Sequence, residues 1–307
     1  PGGRNKRELA MTITWIAVDW GTTRLRAWAM RGTDVVQQAS SDRCLATLEP
    51  GGFEAALLEL ITPWLGDGVT DVLACGMVGA RQGWIEAPYV PVPAKPGAPK
   101  AVQVPGNDPR LRVLLLPGLS QKEPPDVMRG EETQIAGFLR LNANWDGVIC
   151  LPGTHTKWAQ VSADEVVSFR TFMTGELFNL LARQSILRHS VDDGWDDRAF
   201  ASAVDDMLSR PEALAARLFG LRARDLLQDM ADGATAAALS GLLIGAELAA
   251  SRPYWLGQQV SVIGADAMAR LYVVALAQVG VPATLADVDR MTLEGLTTAY
   301  KSMRDAT

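Results

Sequence analysis

The sequence predicts an α/β protein that is built from two similar halves. Apolar strand-like runs alternate with amphipathic helical segments, which is the order of an α/β fold rather than of a bundle or a sandwich. A strand, a glycine-threonine turn and a returning strand occur around residues 15–28 and again around residues 147–161. A late apolar strand ends at Gly264, just before another helical segment. These repeats predict two halves of related structure.

The composition of the 307 residues excludes several function classes. A formal net charge of -6 with scattered basic residues argues against nucleic acid as a partner. Three distant cysteines predict reduced, buried thiols in a cytoplasmic protein, and two histidines cannot form a multi-histidine metal site. No apolar run approaches the roughly 20 residues that span a bilayer, so no membrane partner is expected. Residues 1–11 lack the apolar centre of a signal peptide and are expected to be a disordered extension or an expression remnant.

The first turn starts where the apolar run at residues 16–18 ends in Asp19. A carboxylate at the end of a buried strand can face a ligand. Gly21 permits a tight turn, and Thr22 and Thr23 supply hydroxyl and N–H groups that could hold phosphate oxygens. The alternation after Arg24 fits a returning strand. An ordinary hairpin with a polar turn explains this local pattern equally well.

The elements that follow come from hydrophobic periodicity. Strands are predicted at residues 34–41, 71–75, 111–116, 147–151, 159–161, 166–172, 259–263 and 282–286. Helices are predicted at residues 52–65, 177–187, 199–208, 211–219, 235–250, 268–278 and 292–303, with another after residue 130. Gly241 and Gly245 predict close packing of one of these helices against another.

Polar and aromatic side chains follow the strand at residues 71–75. In α/β sheets ligands gather beyond the carboxyl ends of the strands, so Arg81 and Trp84 predict a substrate loop there. A surface turn with a solvated arginine is the alternative. Residues 86–106 contain six prolines and predict an irregular excursion, which carries Tyr89.

Two acids, Glu131 and Glu132, begin the helix after residue 130. They could complement the positive end of the helix dipole, or one could be a catalytic base. The second turn supplies Gly153, Thr154 and Thr156. Together with the backbone at Gly264, where a purine could lie, the two turns predict a nucleotide clamp. Neither the GxxxxGK[ST] nor the GxGxxG pattern occurs, so the common single-loop phosphate sites do not apply.

The ordered set of motifs resembles the actin/hexokinase ATPase superfamily and, within it, the 2-dehydro-3-deoxygalactonokinase family. The motifs are DWGTT at 19–23, GMVG at 76–79, EAPY at 86–89, MRGEETQ at 128–134, PGTHTKW at 152–158, MTGE at 173–176, SGLLIGAE at 240–247 and GAD at 264–266. The resemblance covers residues 14–303. It implies two ribonuclease H-like domains, residues 12–117 and 118–307, facing an interdomain nucleotide cleft, with the last helix able to pack back on the first domain.

The resemblance also implies a reaction: transfer of the γ-phosphate of ATP, with Mg²⁺, to the C6 hydroxyl of 2-dehydro-3-deoxy-D-galactonate in galactose or galactonate breakdown. Asp19 would orient the metal ion through water, and Glu131 is favoured as the base over Glu132. Phosphate contacts would come from Gly21, Thr22, Thr23, Gly153, Thr154 and Thr156. Substrate contacts would come from Arg24, Arg81, Trp84, Tyr89, Arg129 and Arg170. Open alternatives are a kinase for another sugar acid or an amino-sugar, and a non-catalytic sugar-acid sensor. A homodimer is compatible with the sequence.

Overall fold

The computed structural model describes residues 13–97, 100–228, 231, 233–264 and 266–305, without the side chain of Asp266. The predicted extension at residues 1–11 lies outside them. The chain divides into two compact units. Unit 1 comprises the described residues of Pro1–Trp145, Ala163–Val166 and Val288–Thr307, and unit 2 comprises those of Asp146–Ser162 and Val167–Asp287.

Strands and helices alternate along the described residues, as the sequence predicts. The strands are β1 Trp15–Trp20, β2 Leu25–Arg31, β3 Asp34–Ser41, β4 Thr70–Cys75, β5 Tyr89–Pro91, β6 Val102–Gln103, β7 Leu111–Leu115, β8 Gly118–Gln121, β9 Asp126–Met128, β10 Gly147–Leu151, β11 Thr156–Ser162, β12 Glu165–Phe172, β13 Val260–Gly264 and β14 Ala283–Asp287. The helices are α1 Phe53–Ile61, α2 Glu131–Leu141, α3 Thr174–Gln184, α4 Asp197–Ser209, α5 Leu214–Leu227, α6 Ala234–Ala250, α7 Arg252–Trp255, α8 Asp266–Gln278 and α9 Val288–Asp305. Short 3₁₀ turns occur at Thr62–Trp64, Met77–Gly79, Ile186–His189 and Pro211–Ala213.

The main sheet of unit 1 has the strand order β3-β2-β1-β4-β7-β6. Its first three strands form an antiparallel meander, and β4 and β7 continue the sheet in parallel from β1. A smaller sheet has the order β5-β8-β9. The carboxyl ends of β1 and β4 therefore lie side by side, with Asp19 paired to Cys75 in register.

The sheet of unit 2 repeats this plan in the order β12-β11-β10-β13-β14. Strand β10 pairs antiparallel with β11 and parallel with β13, as β1 does with β2 and β4. Strand β14 pairs parallel with β13. The two strand–turn–strand repeats therefore occupy equivalent places in two sheets of the same strand order, which confirms the predicted repetition.

Helix α9, the last in the chain, packs within unit 1. The ring of Tyr300 stacks on the fully buried Trp15 at a centroid distance of 4.2 Å. Helix α9 also meets α2 closely, because a Cβ at Gly295 would come within 1.9 Å of the Thr133 carbonyl oxygen. These contacts place α2 in unit 1, so the unit border falls at Trp145/Asp146, whereas the sequence placed it after residue 117.

The core of unit 2 depends on an intimate contact between α4 and α6. A Cβ at Gly241 would lie 2.4 Å from the Phe200 carbonyl oxygen, and one at Gly245 would lie 2.7 Å from that of Val204. A larger side chain at either position would push the helices apart. The prediction that these glycines allow close helix packing is confirmed.

The main departures from the predicted elements lie between residues 86 and 128. The proline-rich stretch contains the short strands β5 and β6, and β8 and β9 were not predicted at all. The three cysteines are free and buried, as expected. Among the described residues, no helix has both the length and the apolar character needed to cross a bilayer.

Candidate active site

The first turn joins β1 to β2. The Gly21 N–H donates to the Arg24 carbonyl oxygen at 2.9 Å and closes a tight turn. Behind it, the N–H groups of Leu45 and Ala46 donate to the carbonyl oxygens of Gly21 and Thr22. The next three side chains are all exposed: Thr22, Thr23 and Arg24. The turn is thus fixed through its carbonyl groups, while its threonines face solvent.

Asp19 is the last residue but one of β1 and pairs with Arg26 of β2. Its Oδ2 accepts a hydrogen bond from Nη2 of Arg26, and Nη1 of the same guanidinium contacts Asp289. Burial raises the pKa of Asp19, and the Arg26 charge opposes that shift. Sequence reasoning named Arg24 and missed Arg26. The signal that could have found it is hairpin pairing, which places residue 26 across from residue 19.

Two glycines bring the end of β4 and the start of α2 to Asp19. Gly76 has φ +92°, and a Cβ there would lie 2.8 Å from the Trp20 carbonyl oxygen and 3.2 Å from Oδ1 of Asp19. Gly130 has φ +109°, and its Cβ would lie 3.2 Å from the Cα of Gly76. Both backbones need the left-handed region that favours glycine. Because these two residues have no side chains, the start of α2 lies against Gly76, which in turn lies beside Asp19.

The two acids at the start of α2 occupy different environments. Glu132 is only 2% exposed, and its Oε2 accepts from the Gly130 N–H at 2.7 Å. Burial, with the neighbouring Glu131 carboxylate, raises the pKa of Glu132 to about 8. Glu131 is half-buried and accepts from the Arg129 N–H at 3.1 Å. The backbone contact of Glu132 agrees with a structural role at the helix start, and Glu131 is the more accessible carboxylate.

The four predicted substrate arginines differ in exposure. The Arg81 side chain is 81% exposed and lies 3.6 Å from Glu86. Arg24 in unit 1 and Arg170 in unit 2 are also exposed. Arg129 is 7% exposed. Only Arg129 is therefore held inside the protein.

The Arg129 guanidinium is held on two sides. Its Nη2 donates to the Ala87 carbonyl oxygen at 2.7 Å, and its Cζ lies 4.2 Å from the centroid of the Tyr89 ring. Nη1 is near Gly79, where a Cβ would approach it to 3.1 Å. Nε and Nη1 are buried and have no hydrogen-bond partner. A buried cation with two unmade hydrogen bonds is costly, so this group is suited to an anionic ligand.

Trp84 is half-buried and packs against the core of unit 1. Its ring stacks with that of Phe53 at 6.3 Å and meets the ring of Trp20 edge to face at 6.2 Å. These contacts explain a tryptophan at this position by packing. Of the two aromatic residues predicted to contact the substrate, Tyr89 is the one that lies against a predicted substrate arginine, Arg129.

The second turn, between β10 and β11, is backed by the start of α3. The Glu176 N–H donates to the Thr154 carbonyl oxygen at 2.9 Å, and a Cβ at Gly175 would lie 2.3 Å from the Gly153 carbonyl oxygen. Thr154 is exposed. His155 Nε2 lies 2.5 Å from Glu176 Oε2, which agrees with a hydrogen-bonded histidine rather than a metal ligand.

Two side chains of this second turn point inward instead of to solvent. Thr156 is fully buried, and its Oγ1 lies 2.9 Å from the Tyr272 hydroxyl. Lys157 is 6% exposed, and its Nζ donates to the His155 carbonyl oxygen at 3.3 Å. Thr156 therefore supports the turn from inside the protein. Of the two threonines of this turn that were predicted to contact phosphate, Thr154 is the one with an exposed side chain.

Gly264 ends β13 beside the second turn. A Cβ there would lie 3.0 Å from the Ala269 Cβ and 3.5 Å from the Pro152 Cδ. Within unit 2, a mainly apolar cavity of about 260 Å³ lies at the starts of α3 and α8. Its lining residues are Thr174, Gly175, Phe178, Trp195, Ser240, Leu243, Ile244, Ala267, Met268, Leu271 and Tyr272. Its size and lining suit a flat heterocycle.

Within the described part of the chain, no group of three or more His, Cys, Asp or Glu side chains could hold a metal ion. Mg²⁺ in kinases is bound through one or two carboxylates together with substrate phosphates, rather than by a protein cage. Asp19 meets that smaller requirement. The donor set therefore fits a metal ion that arrives with a nucleotide.

Comparisons with known proteins identify the family. The family model described as 2-keto-3-deoxy-galactonokinase matches residues 19–299. The chain belongs to this family. A relative from Rhizobium meliloti (strain 1021), described as a 2-dehydro-3-deoxygalactonokinase, is 37% identical over 300 residues, which are 94% of this chain and 97% of the relative. A second, from Escherichia coli (strain K12) and of the same description, is 36% identical over 249 residues, 80% of this chain and 82% of its own length.

A solved structure supports the same family and fold. The crystal structure of a protein from Sinorhizobium meliloti, described as a 2-dehydro-3-deoxygalactonokinase, has a TM-score of 0.87 and 35% identity. The match covers 94% of this chain and 96% of that one. Together with the two sheets of repeated strand order, this confirms the predicted α/β, actin-like ATPase fold. The chain is a sugar-acid kinase of the 2-keto-3-deoxy-galactonokinase family.

Proposed function

We propose that this chain transfers the γ-phosphate of ATP to the C6 hydroxyl of 2-dehydro-3-deoxy-D-galactonate, giving the 6-phosphate, in galactose or galactonate breakdown. One observation carries the proposal beyond family membership. Within unit 1, Gly76 and Gly130 bring Asp19 and the acids of α2 to one place at the carboxyl ends of β1 and β4. Phosphoryl transfer needs this combination: a carboxylate near the metal-bound phosphates and a second to take the hydroxyl proton.

Glu131 is the base in this proposal. As the C6 oxygen bonds to the γ-phosphorus, the bond from that phosphorus to the β–γ bridging oxygen breaks and ADP leaves. The hydroxyl proton goes to a carboxylate, which must reach the substrate. Glu131 is half-buried at the helix start, whereas both oxygens of Glu132 bond inside the protein, to the Gly130 N–H and the Thr133 hydroxyl. Glu132 then positions the start of the helix.

Asp19 is the residue that would hold Mg²⁺ through water. A bound Mg²⁺ would supply charge neutralisation at the phosphates. Arg26 keeps the Asp19 carboxylate in place from the opposite strand and favours its ionised form. The chain's contribution at this point is therefore an oriented, ionised carboxylate at a strand end.

The nucleotide phosphates are proposed to contact both glycine-threonine turns. The proposed contacts are Thr22 and Thr23 of the first turn and Gly153 and Thr154 of the second, because these residues lie at the exposed surface of their turns or next to it. Gly21 shapes the first turn. The purine occupies the apolar cavity at the starts of α3 and α8, next to Gly264. Thr156 supports this region from below.

Arg129 is proposed as the partner of the substrate carboxylate. It is the candidate with buried, unpartnered N–H groups, and it precedes the base by two residues. Ala87 and Tyr89 fix its orientation. Arg81 stays an alternative, because its exposed side chain can move and its link to Glu86 is long. An exposed ion pair of this kind costs little to break.

The function is tested with a panel of acceptors in a coupled ADP-release assay. We expect turnover on 2-dehydro-3-deoxy-D-galactonate, with product phosphorylated at C6 by ³¹P and ¹³C NMR. Neutral hexoses, N-acetylated amino-sugars and other 2-keto sugar acids are the comparison substrates. Equal or higher kcat/KM for any of them would overturn the substrate assignment. If no acceptor in the panel supports ADP release, the proposed reaction is overturned.

The carboxylate partner is tested by pairing Arg129→Met with Arg81→Met. Loss of a buried charged partner should lower kcat/KM for the sugar acid about 10²–10³-fold in Arg129→Met, by analogy with other buried charge pairs. The same variant should change kcat/KM for a neutral analogue, with an alcohol in place of the carboxylate, by less than about threefold. The reverse ranking of the two variants would transfer the role to Arg81.

A further inference from the structure

A buried acid of unit 2, Glu247 on α6, lies behind the second turn. It is 3% exposed, and the family reaction as proposed above does not use it. Its Oε1 accepts from the Trp158 indole Nε1 at 2.7 Å, and its Oε2 accepts from the Tyr272 hydroxyl at 2.8 Å and from the Thr174 hydroxyl. One carboxylate therefore joins β11, α3 and α8 to α6.

The hydrogen bonds to Glu247 continue through Tyr272 to the second turn. Because Tyr272 gives its only hydroxyl proton to Glu247, its oxygen is left to accept from the Thr156 hydroxyl at 2.9 Å. Thr156 is the first residue of β11. The chain of donors runs from Thr156 through Tyr272 to Glu247, and it needs an acceptor at its end.

The start of α3 is tied to the turn in the same region. Thr174 begins this helix and bonds Glu247. The next residue, Gly175, lies against the Gly153 carbonyl, and the Glu176 N–H bonds the Thr154 carbonyl oxygen. No side chain caps this helix at its N-cap, Met173. The hydroxyl of Thr174 bonds Glu247 instead.

We infer that Glu247 is a positioning residue for the nucleotide, which holds Thr156, Trp158 and Thr174 so that the Gly153–Thr154 backbone keeps the shape that the ATP phosphates require. The inference rests on the proposed function of the second turn. Glu247 does not touch the nucleotide or the reacting atoms. It acts through β11 and the start of α3, whose spacing against the turn it fixes.

The burial of Glu247 explains why its carboxylate needs hydrogen-bond donors. Burial raises the pKa of Glu247 to about 7, and the hydrogen bonds from Thr174, Trp158 and Tyr272 oppose the rise. A buried carboxylate without such donors would carry a large desolvation cost. Glutamine has nearly the same shape but only one acceptor oxygen, so it cannot satisfy donors at both positions.

The test compares Glu247→Gln with Glu294→Gln, an acid of unit 1 that pairs with Arg140 on the surface of α2 and α9. Binding of the unreactive analogue AMP-PNP with Mg²⁺ is measured by calorimetry, and KM values are measured for ATP and the sugar acid. We expect Glu247→Gln to raise the Kd for AMP-PNP and the KM for ATP about tenfold, the effect of about one hydrogen bond to a charged group. The KM for the sugar acid should change less than twofold, and Glu294→Gln should change none of the three.

A role in stability alone predicts a different result: a lower melting temperature with unchanged KM and Kd in the folded fraction. That result in Glu247→Gln would overturn the inference. If Glu247→Gln does not fold, Tyr272→Phe decides, since it removes the middle of the donor chain while keeping the ring. Tyr272→Phe should raise the Kd for AMP-PNP and the KM for ATP about threefold. If neither constant changes, the inference is overturned. Calorimetry needs no turnover, so absence of sugar-acid phosphorylation would count against the proposed function and not against Glu247.

Discussion

The two glycine-threonine turns share a plan but differ in where their charge lies. Asp19 lies one residue before the end of β1 and contacts Arg26 across the hairpin. At the matching place of the second turn, β10 ends in Leu151, which pairs with Lys157. The acid of the second turn, Glu247, is instead on a helix behind the strands and contacts the turn through hydroxyl groups.

This difference separates two tasks that kinases need. In the proposed function, the carboxylate near the end of β1 serves the phosphates and equips the first turn for chemistry. The carboxylate behind the second turn shapes its backbone, which equips that turn for holding the nucleotide. The duplicated architecture supplies both turns, and side chains at a few positions divide the work.

The largest expected effect comes from removing the charge at the first turn. Asp19→Asn should lower kcat by about 10³-fold, the scale seen when a group that stabilises transition-state charge is lost. Asp289→Asn is the matched control, because Asp289 contacts the same Arg26 but is well exposed. It should stay within about threefold of the parent. More than a tenth of the parent kcat in Asp19→Asn would remove Asp19 from the chemistry.

The second effect distinguishes the two acids of α2. Glu131→Gln should lower kcat about 10²–10⁴-fold, the usual contribution of a general base, with little change in the KM for ATP. Glu132→Gln should lower kcat less than about tenfold, because glutamine can still accept from the Gly130 N–H. Single-turnover rates for both variants provide the measurement. The opposite order would assign the base to Glu132.

A smaller effect tests whether both turns contact the phosphates. Thr22→Ala and Thr154→Ala should each raise the KM for ATP about three- to tenfold, because each removes one hydrogen bond to a charged ligand. Ser40→Ala, at the edge strand β3, is the control and should leave the KM for ATP unchanged. An effect at only one turn would show that the nucleotide contacts that turn alone.

The smallest effect concerns the pH dependence of stability. Glu132 and Glu247 have pKa values raised by burial to about 8 and about 7 in the folded protein, above the ordinary value of 4.5 for a glutamate. The folded state therefore holds protons that the unfolded state has lost, and stability decreases as pH rises from about 5 to 8. Glu132→Gln and Glu247→Gln should each flatten this decline in melting temperature measured by calorimetry. An unchanged slope in both variants would contradict the raised pKa values.

Much of the fold could be predicted because its hairpins have strong local patterns. The apolar run before Asp19 and the alternation after it identify β1 and β2, and the same pattern identifies β10 and β11. Strands β8 and β9 were missed because they are only four and three residues long and carry polar side chains. Their pairing depends on tertiary contacts that a short window cannot show.

The site was less predictable, because its partners are distant in sequence. The acids at Asp19 and Glu131 could be found from turn and helix-start motifs. Arg26 was missed because its role depends on hairpin register. The donors to Glu247 come from three separate elements, so no spacing could identify them. Burial of Arg129 and Thr156 likewise became visible only in the folded chain.

In the proposed function, the first turn performs the chemistry and the second holds the nucleotide. Calorimetric titration of Asp19→Asn and Glu247→Gln with Mg²⁺ and AMP-PNP, beside their kcat on the sugar acid, tests it most directly. We expect Asp19→Asn to keep its Kd for AMP-PNP within about threefold and to lose about 10³-fold in kcat, and Glu247→Gln to bind AMP-PNP about tenfold more weakly. Equal losses of nucleotide binding in the two variants, with equal losses of kcat, would contradict it.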